Sequence, residues 1–287
     1  MKRIINKIRN KFNYTVVSPM PYDQQMSDAY NGISVTNGEI KGKTAVVTGA
    51  TGGIGFAITK RLLLEGCNII LVGRNQNKLD ISKDSLSQFS KSQTIVSYTM
   101  NMMDFDDVIG KTELILKENN IDIWVNNAGI FKKKDRYPAF RSYPKQDIIE
   151  EFDTNLKSYY YIIKTIGERI RAKSNFCHII NISSICGFTK SMGYTGYGMS
   201  KASVIRMTKE LAKEYGDCAS ILSIAPGSVA TGMGDRKFGD NIGVNENMIT
   251  KHIAMPEEIA SLAAFLSGNM GLYLNGETVI ASADETL

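Results

Sequence analysis

Short apolar runs alternate with longer amphipathic segments along the chain from residue 44 onward. The runs are partly β-branched, as expected for strands buried on both faces of a parallel sheet, and the segments carry apolar residues at helical spacing. This alternation predicts an α/β fold: a doubly wound parallel sheet of about seven strands (Rossmann type) with helices on both faces. Strands are predicted at 44–47, 67–72, 94–100, 121–125, 176–182, 220–224 and 278–280, and helices at 54–66, 106–118, 147–170, 197–215 and 256–266.

A glycine-rich turn, Thr-Gly-Ala-Thr-Gly-Gly-Ile-Gly at 48–55, joins the first strand to the first helix. Glycines there permit a sharp turn, close approach of backbone N–H groups to a pyrophosphate, and tight packing of the helix on the strand. The helix N-terminus adds unpaired donors and a partial positive charge. The turn therefore predicts a dinucleotide site that includes Gly49, Thr51, Gly53, Ile54 and Gly55.

Arg74 follows the second predicted strand, where a dinucleotide fold places the adenosine ribose. An acid at this point would accept hydrogen bonds from the ribose of NAD(H), but none is present between Ile69 and Gln76. Because a guanidinium suits a phosphate dianion, Arg74 predicts NADP(H) rather than NAD(H). The alternative is a solvated surface arginine.

Three motifs are similar to those of one protein family. The turn fits Thr-Gly-x-x-x-Gly-x-Gly, the fourth strand ends in Asn-Asn-Ala-Gly at 126–129, and a Tyr-x-x-x-Lys pair stands at Tyr197 and Lys201. The sequence thus resembles the short-chain dehydrogenase/reductase family, in its shorter, single-domain branch, and there the carbonyl reductases of 3-oxoacyl-carrier-protein reductase type. Because Gly52 is also glycine, the turn equally fits the form found in the longer branch. The Tyr-Lys pair, about 150 positions later, favours the shorter one.

Tyr197 and Lys201 are four residues apart, so both side chains project from one face of the predicted helix. A phenol with a pKa near 10 is a poor acid–base catalyst at neutral pH, and we expect the nearby ammonium to lower that pKa. The resemblance implies that Ser184 holds the substrate oxygen, with Ser183 as a structural neighbour. It also implies that Asn155 holds a water in a proton relay to Lys201.

The resemblance implies further cofactor contacts at the ends of the later strands. Three features depart from the family pattern: Asn101 replaces an Asp, Ala225 replaces an Asn, and Ala-Asp-Glu at 283–285 replaces Asp-Gly-Gly. None of these removes a catalytic group, but they leave the substrate open. The implied contacts, besides Tyr197 and Lys201, are Asn101, Met102, Asn127, Ala128, Gly129, Pro226, Gly227, Val229 and Thr231.

The predicted function is NADPH-dependent reduction of a carbonyl to an alcohol, with Tyr197 as proton donor. Three substrate classes are open: an oxoacyl thioester, a ketone and a keto-sugar. The substrate could be bound to a carrier protein or be anionic. The alternative is a non-catalytic dinucleotide-binding regulatory or scaffold protein of the same fold. The intact set of Asn155, Ser184, Tyr197 and Lys201 argues against that alternative.

Composition agrees with one catalytic domain at 41–287: the chain has 287 residues and 43% of them are hydrophobic. Four cysteines and two histidines lack metal-type spacing, which argues against a metal site and indicates reduced thiols in the cytoplasm. No apolar run approaches the length of a membrane span.

The net charge of +5 originates in residues 1–22, which hold five Lys or Arg and no acid. The remainder is neutral, so nothing indicates nucleic-acid binding. Residues 1–40 are interpreted as a basic arm and linker, flexible or packed on a partner. A weaker alternative is contact of residues 1–12 with a membrane surface through a short amphipathic helix.

Three other segments suggest partners or moving parts. The basic segment 132–145 is either a dock for an acidic carrier protein or phosphorylated substrate, or a solvated loop. Residues 232–251 are interpreted as a substrate lid, with a plain surface loop as the alternative. An apolar helical stripe resembles the family's dimer face and suggests a homodimer or homotetramer. Its members are Phe152, Leu156, Tyr159, Ile163, Ile166 and Ile170.

Overall fold

The computed structural model describes residues 32–132, 143–173, 175–189, 194–231 and 253–283. Seven strands there form one sheet in the order β3-β2-β1-β4-β5-β6-β7, and every neighbouring pair is parallel. The predicted doubly wound α/β fold is confirmed. The strands are β1 (Thr44–Thr48), β2 (Asn68–Gly73), β3 (Ile95–Thr99), β4 (Ile123–Asn126), β5 (Cys177–Ile182), β6 (Ala219–Pro226) and β7 (Thr278–Ala281).

Helices occupy most of the connections between strands. They are α1 (Gly53–Leu64), α2 (Gln76–Ser87), α3 (Phe105–Glu118), α4 (Lys145–Phe152), α5 (Ser158–Lys173), α6 (Thr195–Tyr215), α7 (Pro256–Leu266) and α8 (Met270–Tyr273). A π-helical segment, Asp153–Lys157, joins α4 to α5, and a 3₁₀ turn, Ile185–Gly187, follows β5. Within the described ranges, no helix is long and apolar enough to cross a membrane.

Two hydrophobic layers enclose the sheet. One contains side chains of α1, α2 and α7, and the other contains side chains of α3, α5 and α6. Val46 and Val47 are neighbours on β1, yet they belong to opposite layers and both are fully buried. This two-sided burial is the reason that the central strands are continuous apolar runs rather than alternating ones.

Local sequence signals fix the helix ends. Gly66 adopts a φ of +94°, a left-handed conformation that ends the first helix. The side chains of Asn75 and Asp104 accept hydrogen bonds from backbone N–H groups at the starts of α2 and α3. Pro256 stands at the first position of α7, and the Glu258 side chain accepts from the Met255 N–H at 2.7 Å.

The structure differs from the prediction of a single helix over 147–170. The π-helical segment interrupts it at Asp153–Lys157, so α4 and α5 are separate elements. The apolar stripe on α5 packs into the chain's own core, where Tyr159, Ile163 and Ile166 are fully buried. A subunit contact of this helix would therefore use its other side, and the oligomeric state stays a prediction.

Residues 33–40, part of the segment interpreted as a linker, pack against the end of α1. The Glu65 carboxylate accepts hydrogen bonds from the hydroxyls of Ser34 and Thr36 at 2.7 and 2.6 Å. It also accepts from the Val35 N–H at 2.9 Å and pairs with Arg61 at 3.1 Å. This buried group joins the segment to the domain, while residues 1–31 of the basic arm lie outside the described residues.

A chain of buried hydrogen bonds links β4, β5 and α6. The Trp124 indole donates to the Asn126 side-chain oxygen at 3.0 Å, and the Asn126 amide donates to Asn181 at 2.9 Å. The Asn181 amide in turn donates to the Thr208 hydroxyl at 3.0 Å. All four residues are fully buried, so the chain fixes α6 relative to the two strands that carry neighbouring motifs.

We expect Asn181→Ala to lower the free energy of unfolding by about 2–3 kcal/mol, because it leaves Asn126 and Thr208 without their shared partner. Trp124 is the single tryptophan of the chain, so urea unfolding followed by its fluorescence measures the change. Asn120→Ala is the control, since Asn120 is exposed and bonds the surface residue Asn175. Equal stability of the two variants would contradict the proposed importance of the buried chain.

Candidate active site

Two turns meet where the strand order of the sheet reverses, between β1 and β4. The Thr48 hydroxyl accepts hydrogen bonds from the backbone N–H groups of Asn127 and Ala128 at 2.9 and 3.0 Å. The Asn127 amide donates to the backbone oxygens of Thr48 and Gly49 at 3.0 and 3.2 Å. The glycine-rich turn and the Asn-Asn-Ala-Gly turn are thus bonded into one unit at the switch point, where dinucleotides bind in this class of fold.

Two glycines make this approach possible. Gly49 has a φ of +64°, and a Cβ there would lie 2.9 Å from the Cα of Ala128. A Cβ at Gly55 would collide with the Gly49 carbonyl oxygen and would lie 2.5 Å from Nδ2 of Asn127. Any larger residue would have to push the two turns apart, so the glycines are required by the contact itself.

The N-terminus of α1 is open to a ligand. Its N-cap, Gly52, offers no side-chain cap, and its first turn contains no acid. Thr51 and Ile54 are partly exposed in the same turn. Unpaired backbone donors with a partial positive charge suit a pyrophosphate, so the residues present fit the predicted dinucleotide.

The predicted adenosine-side residues lie at the same edge of the sheet. Arg74 directly follows β2, is exposed, and pairs with no described carboxylate. Asn101 and Met102 come shortly after β3, which neighbours β2. Asn101 is exposed and its side-chain oxygen accepts from the Met103 N–H at 3.2 Å, whereas Met102 is buried.

The segment after β6 lies next to the start of α1. Pro226 ends the strand, and the Gly227 N–H donates to the Ala281 carbonyl at 2.8 Å. Val229 forms a bridge with Ala254, and the Thr231 side chain lies so close to Gly53 that a Cβ there would be 2.7 Å from it. The predicted nicotinamide-side residues therefore lie beside the N-terminus of α1.

Ser184, Tyr197 and Lys201 come together after β5 and at the start of α6. The Ser184 hydroxyl is close enough to the Tyr197 phenol to lower its pKa, and Oγ of Ser184 accepts from the Cys186 N–H at 3.1 Å. The Lys201 ammonium donates to the Ile182 carbonyl at 2.8 Å and lies 5.8 Å from the centre of the Tyr197 ring.

The neighbouring serine has a different place. Ser183 donates to the Ile224 carbonyl at 3.0 Å and accepts from the Ser223 hydroxyl at 2.9 Å. Its hydroxyl is thus engaged between β5 and β6, which agrees with its interpretation as a structural residue.

Asn155 lies in the π-helical segment and clasps the turn after β4. Its amide donates to the Ile130 carbonyl and to the Ser200 hydroxyl, both at 3.0 Å, and its oxygen accepts from the Ile130 N–H at 2.8 Å. A Cβ on Gly129 would be 3.1 Å from Asn155 Oδ1 and 3.5 Å from Lys201 Nζ. Asn155 and Lys201 therefore flank the same glycine, although the water relay between them stays a prediction.

Burial dominates the electrostatics of the pair. Desolvation lowers the pKa of Lys201 to about 7. Although part of the Tyr197 ring is exposed, desolvation raises the pKa of its phenol, and the charges of Cys186 and Glu151 raise it further, while the Ser184 hydrogen bond lowers it. This direction contradicts the expectation that Lys201 lowers the phenol pKa, because burial disfavours both charged forms. Tyr197 is held in its protonated form.

Sequence reasoning missed an aromatic wall and a carboxylate. The ring of Phe131 lies 4.9 Å from that of Tyr194 and 5.0 Å from that of Tyr197, centre to centre. Glu151 is fully buried on α4 and is close enough to Tyr197 to affect its pKa. Phe131 could have been found from its place two residues after the Asn-Asn-Ala-Gly turn. No sequence signal separates the buried Glu151 from its neighbour Glu150, which lies nearer the surface.

Residues 133–142 of the basic segment and all of 232–251, the predicted lid, lie outside the described residues. Among the residues that the structure describes, no three His, Cys, Asp or Glu side chains are grouped so that they could hold a metal ion.

We expect Gly55→Ala to weaken dinucleotide binding at least about tenfold, because its Cβ would collide with the Gly49 carbonyl and displace the turn. Titration by nicotinamide fluorescence measures the affinity. Gly110→Ala on α3 is the control, since nothing lies within 4 Å of its Cβ position. Unchanged affinity in Gly55→Ala, at unchanged thermal stability, would show that the close approach does not shape the binding site.

Comparison with known proteins agrees with this geometry. The sequence model of the short chain dehydrogenase family matches residues 43–241. The 3-oxoacyl-[acyl-carrier-protein] reductase FabG of Rickettsia bellii is 32% identical over 247 residues, which cover 84% of this chain and 95% of the relative. The protein of the same name from Chlamydia trachomatis is 33% identical over 250 residues, with 85% and 97% covered.

A solved structure shows the same fold. The short chain dehydrogenase from Burkholderia cenocepacia, determined in complex with NADP, superposes with a TM-score of 0.76 at 22% identity, covering 85% of this chain and 98% of that one. The family match spans most of the chain and confirms the predicted class of enzyme. The chain belongs to the short chain dehydrogenase family and is an NAD(P)-dependent oxidoreductase.

Proposed function

We propose that this protein is an NADPH-dependent reductase of 3-oxoacyl thioesters carried on an acyl carrier protein, with Tyr197 as the proton donor. The observation that carries the proposal is the convergence of Ser184, Tyr197 and Lys201 beside the open N-terminus of α1. The two relatives named as 3-oxoacyl-[acyl-carrier-protein] reductases support the substrate class, since the match covers almost their whole length.

Tyr197 and Ser184 act on the substrate oxygen. When bound, NADPH supplies the hydride that the carbonyl carbon accepts. Both side chains carry a hydroxyl, and Ser184 is close enough to Tyr197 to lower its pKa, so a carbonyl oxygen placed between them can accept from both. Because the pKa of Tyr197 is raised, the phenol holds its proton until negative charge develops on that oxygen. General acid help of this kind contributes about 10²–10⁴ in rate.

Lys201 and Asn155 serve the return of a proton to Tyr197. The pKa of Lys201 is lowered to about 7, so the side chain changes its protonation state near neutral pH. Asn155 Oδ1 and Lys201 Nζ lie 3.1 and 3.5 Å from the same Cβ position on Gly129, so the two side chains are close to each other. We propose that a water held there completes a relay to the tyrosine, and that Lys201 also holds the nicotinamide ribose.

Aromatic side chains beside Tyr197 support an apolar acyl group as substrate. The rings of Phe131 and Tyr194 pack together next to Tyr197. Such surfaces gain free energy by covering an alkyl chain, which an acyl thioester supplies. Docking of an acidic carrier on the basic segment 132–145 belongs to the same proposal.

Arg74 supports NADPH over NADH as the reductant. It is exposed at the end of β2, and no described acid neutralises it, so its guanidinium is available to a 2′-phosphate. A homodimer or homotetramer in the cytoplasm stays a prediction.

We expect Tyr197→Phe to lower the rate of thioester reduction about 10²–10⁴-fold, because it removes the proton donor and leaves the ring in place. The assay follows NADPH oxidation with acetoacetyl thioesters of coenzyme A and of an acyl carrier protein. Tyr194→Phe is the matched control: its ring also packs on Phe131, and we expect it to retain activity within about threefold.

The same assay decides between substrate classes. Oxidation of NADPH with a simple ketone or a keto-sugar, and none with either thioester, would overturn the proposed substrate. Full activity of Tyr197→Phe would overturn the proposed proton donor.

We expect Arg74→Ala to weaken NADPH binding at least about tenfold and to leave NADH binding nearly unchanged, because only NADPH carries the phosphate that Arg74 would pair with. Fluorescence titration with each nucleotide measures this. Lys78→Ala, which removes an exposed cation in the first turn of α2, is the control. Equal losses for both nucleotides would contradict the assignment of Arg74 to the 2′-phosphate.

A further inference from the structure

A buried carboxylate beside the site takes no part in the mechanism described above. Glu151, near the end of α4, is fully buried. Its Oε1 accepts the backbone N–H of Lys132 at 2.9 Å, and its Oε2 accepts the hydroxyl of Tyr143 at 2.8 Å. Since a buried carboxylate is costly unless its lone pairs are used, this position depends on contacts from both ends of the segment 133–142.

The carboxylate also lies against the start of α6. That helix has no side-chain N-cap, and its first turn contains no acid. A Cβ on Gly196 would collide with Oε2 of Glu151, so the missing side chain makes room for the carboxylate. A negative charge at a helix N-terminus is favourable, and here it is placed next to the residue that precedes Tyr197.

Glu151 and Asn155 together hold both neighbours of Phe131. Asn155 bonds the N–H and the carbonyl of Ile130, and Glu151 bonds the N–H of Lys132. The Phe131 ring between them packs edge-on against Tyr197 at 5.0 Å. The helical stretch from α4 through the π-helical segment therefore fixes the aromatic wall relative to the tyrosine.

We propose that Glu151 is a positioning residue for the reaction: its carboxylate bonds the N–H of the residue after Phe131 and packs against the residue before Tyr197, so that phenol and ring keep one relative placement. This inference rests on the proposed function. The charged and titratable groups around the carboxylate are Lys132, Tyr143, Asp147, Glu150 and Tyr197.

The test compares Glu151→Ala with Glu151→Gln. We expect the alanine variant to lose roughly ten- to a hundredfold in kcat, because small misplacements of reacting groups are costly, with NADPH affinity unchanged. The glutamine variant should keep kcat within about threefold, since its oxygen can accept from Lys132 and its amide can donate to the Tyr143 oxygen. Glu150→Gln is the control: Glu150 pairs with the Lys132 ammonium near the surface, and its loss should leave kcat unchanged.

A second measurement follows the position itself. Hydrogen exchange of peptides covering 128–132 and 194–199 should become faster in Glu151→Ala and stay close to wild type in Glu151→Gln. Unchanged exchange with unchanged kcat in the alanine variant would overturn the proposal. Equal losses of kcat in the alanine and glutamine variants, with wild-type exchange rates in the glutamine variant, would also overturn the proposal. The charge of Glu151, and not its placement of the segments, would then determine kcat.

Tyr143→Phe covers the case in which Glu151→Ala does not fold. This variant removes one hydrogen-bond donor to the carboxylate and changes no residue of α4 or α6. We expect faster exchange of the same peptides and a several-fold lower kcat. Wild-type values of both would overturn the proposal. If the wild-type enzyme reduces no carbonyl substrate, the proposed function fails, and the exchange measurements still decide whether Glu151 fixes these segments.

Discussion

The contact between the turn after β1 and the turn after β4 is the constraint on which the rest of the site depends. Thr48 accepts two backbone N–H groups across it, and glycine is required at 49 and 55 because any Cβ would meet the opposite turn or its own. The contact also fixes the start of α1, which has no side-chain cap, beside the two turns. It also places Gly129 between Asn155 and Lys201. The glycine-rich turn and the group of Asn155, Ser184, Tyr197 and Lys201 are therefore parts of one packed unit, and we expect a change in either to move the other.

Buried polar bonds carry this placement into α6. Asn181 donates to Thr208 on the helix, and Lys201 donates to the Ile182 carbonyl, so the end of β5 holds α6 at two points that are two turns apart. Such bonds contribute little net stability, but breaking one would leave a buried group unsatisfied, which makes them strongly specifying. These two bonds to β5 fix the position of the helix that carries Tyr197. The N-terminus of this helix has no side-chain cap, so another contact must fix it.

Local sequence patterns predicted the strands and most of the site residues. Features that depend on contacts between distant parts of the chain were not predicted. Apolar runs predicted all seven strands, and the central strands are continuous runs because both faces of the sheet are covered there. The π-helical segment was not predicted; it carries Asn155, which bonds both backbone groups of Ile130, a contact between residues distant in sequence. The stripe on α5 predicted burial, but it could not say whether the cover was the chain itself or a second subunit. Glu150 and Glu151 are identical in sequence terms, and only the packing of α6 separates them.

The pKa directions show the same limit and bear on the direction of the proposed reaction. Spacing placed Lys201 one turn from Tyr197 and suggested a lowered phenol pKa, but the spacing did not include the desolvation of both groups. Burial keeps the phenol protonated and makes the lysine easy to deprotonate. A protonated phenol can give a proton to a carbonyl oxygen, whereas oxidation of an alcohol would need the phenolate as base. A protonated Tyr197 therefore fits the proton donor that the proposed reduction needs.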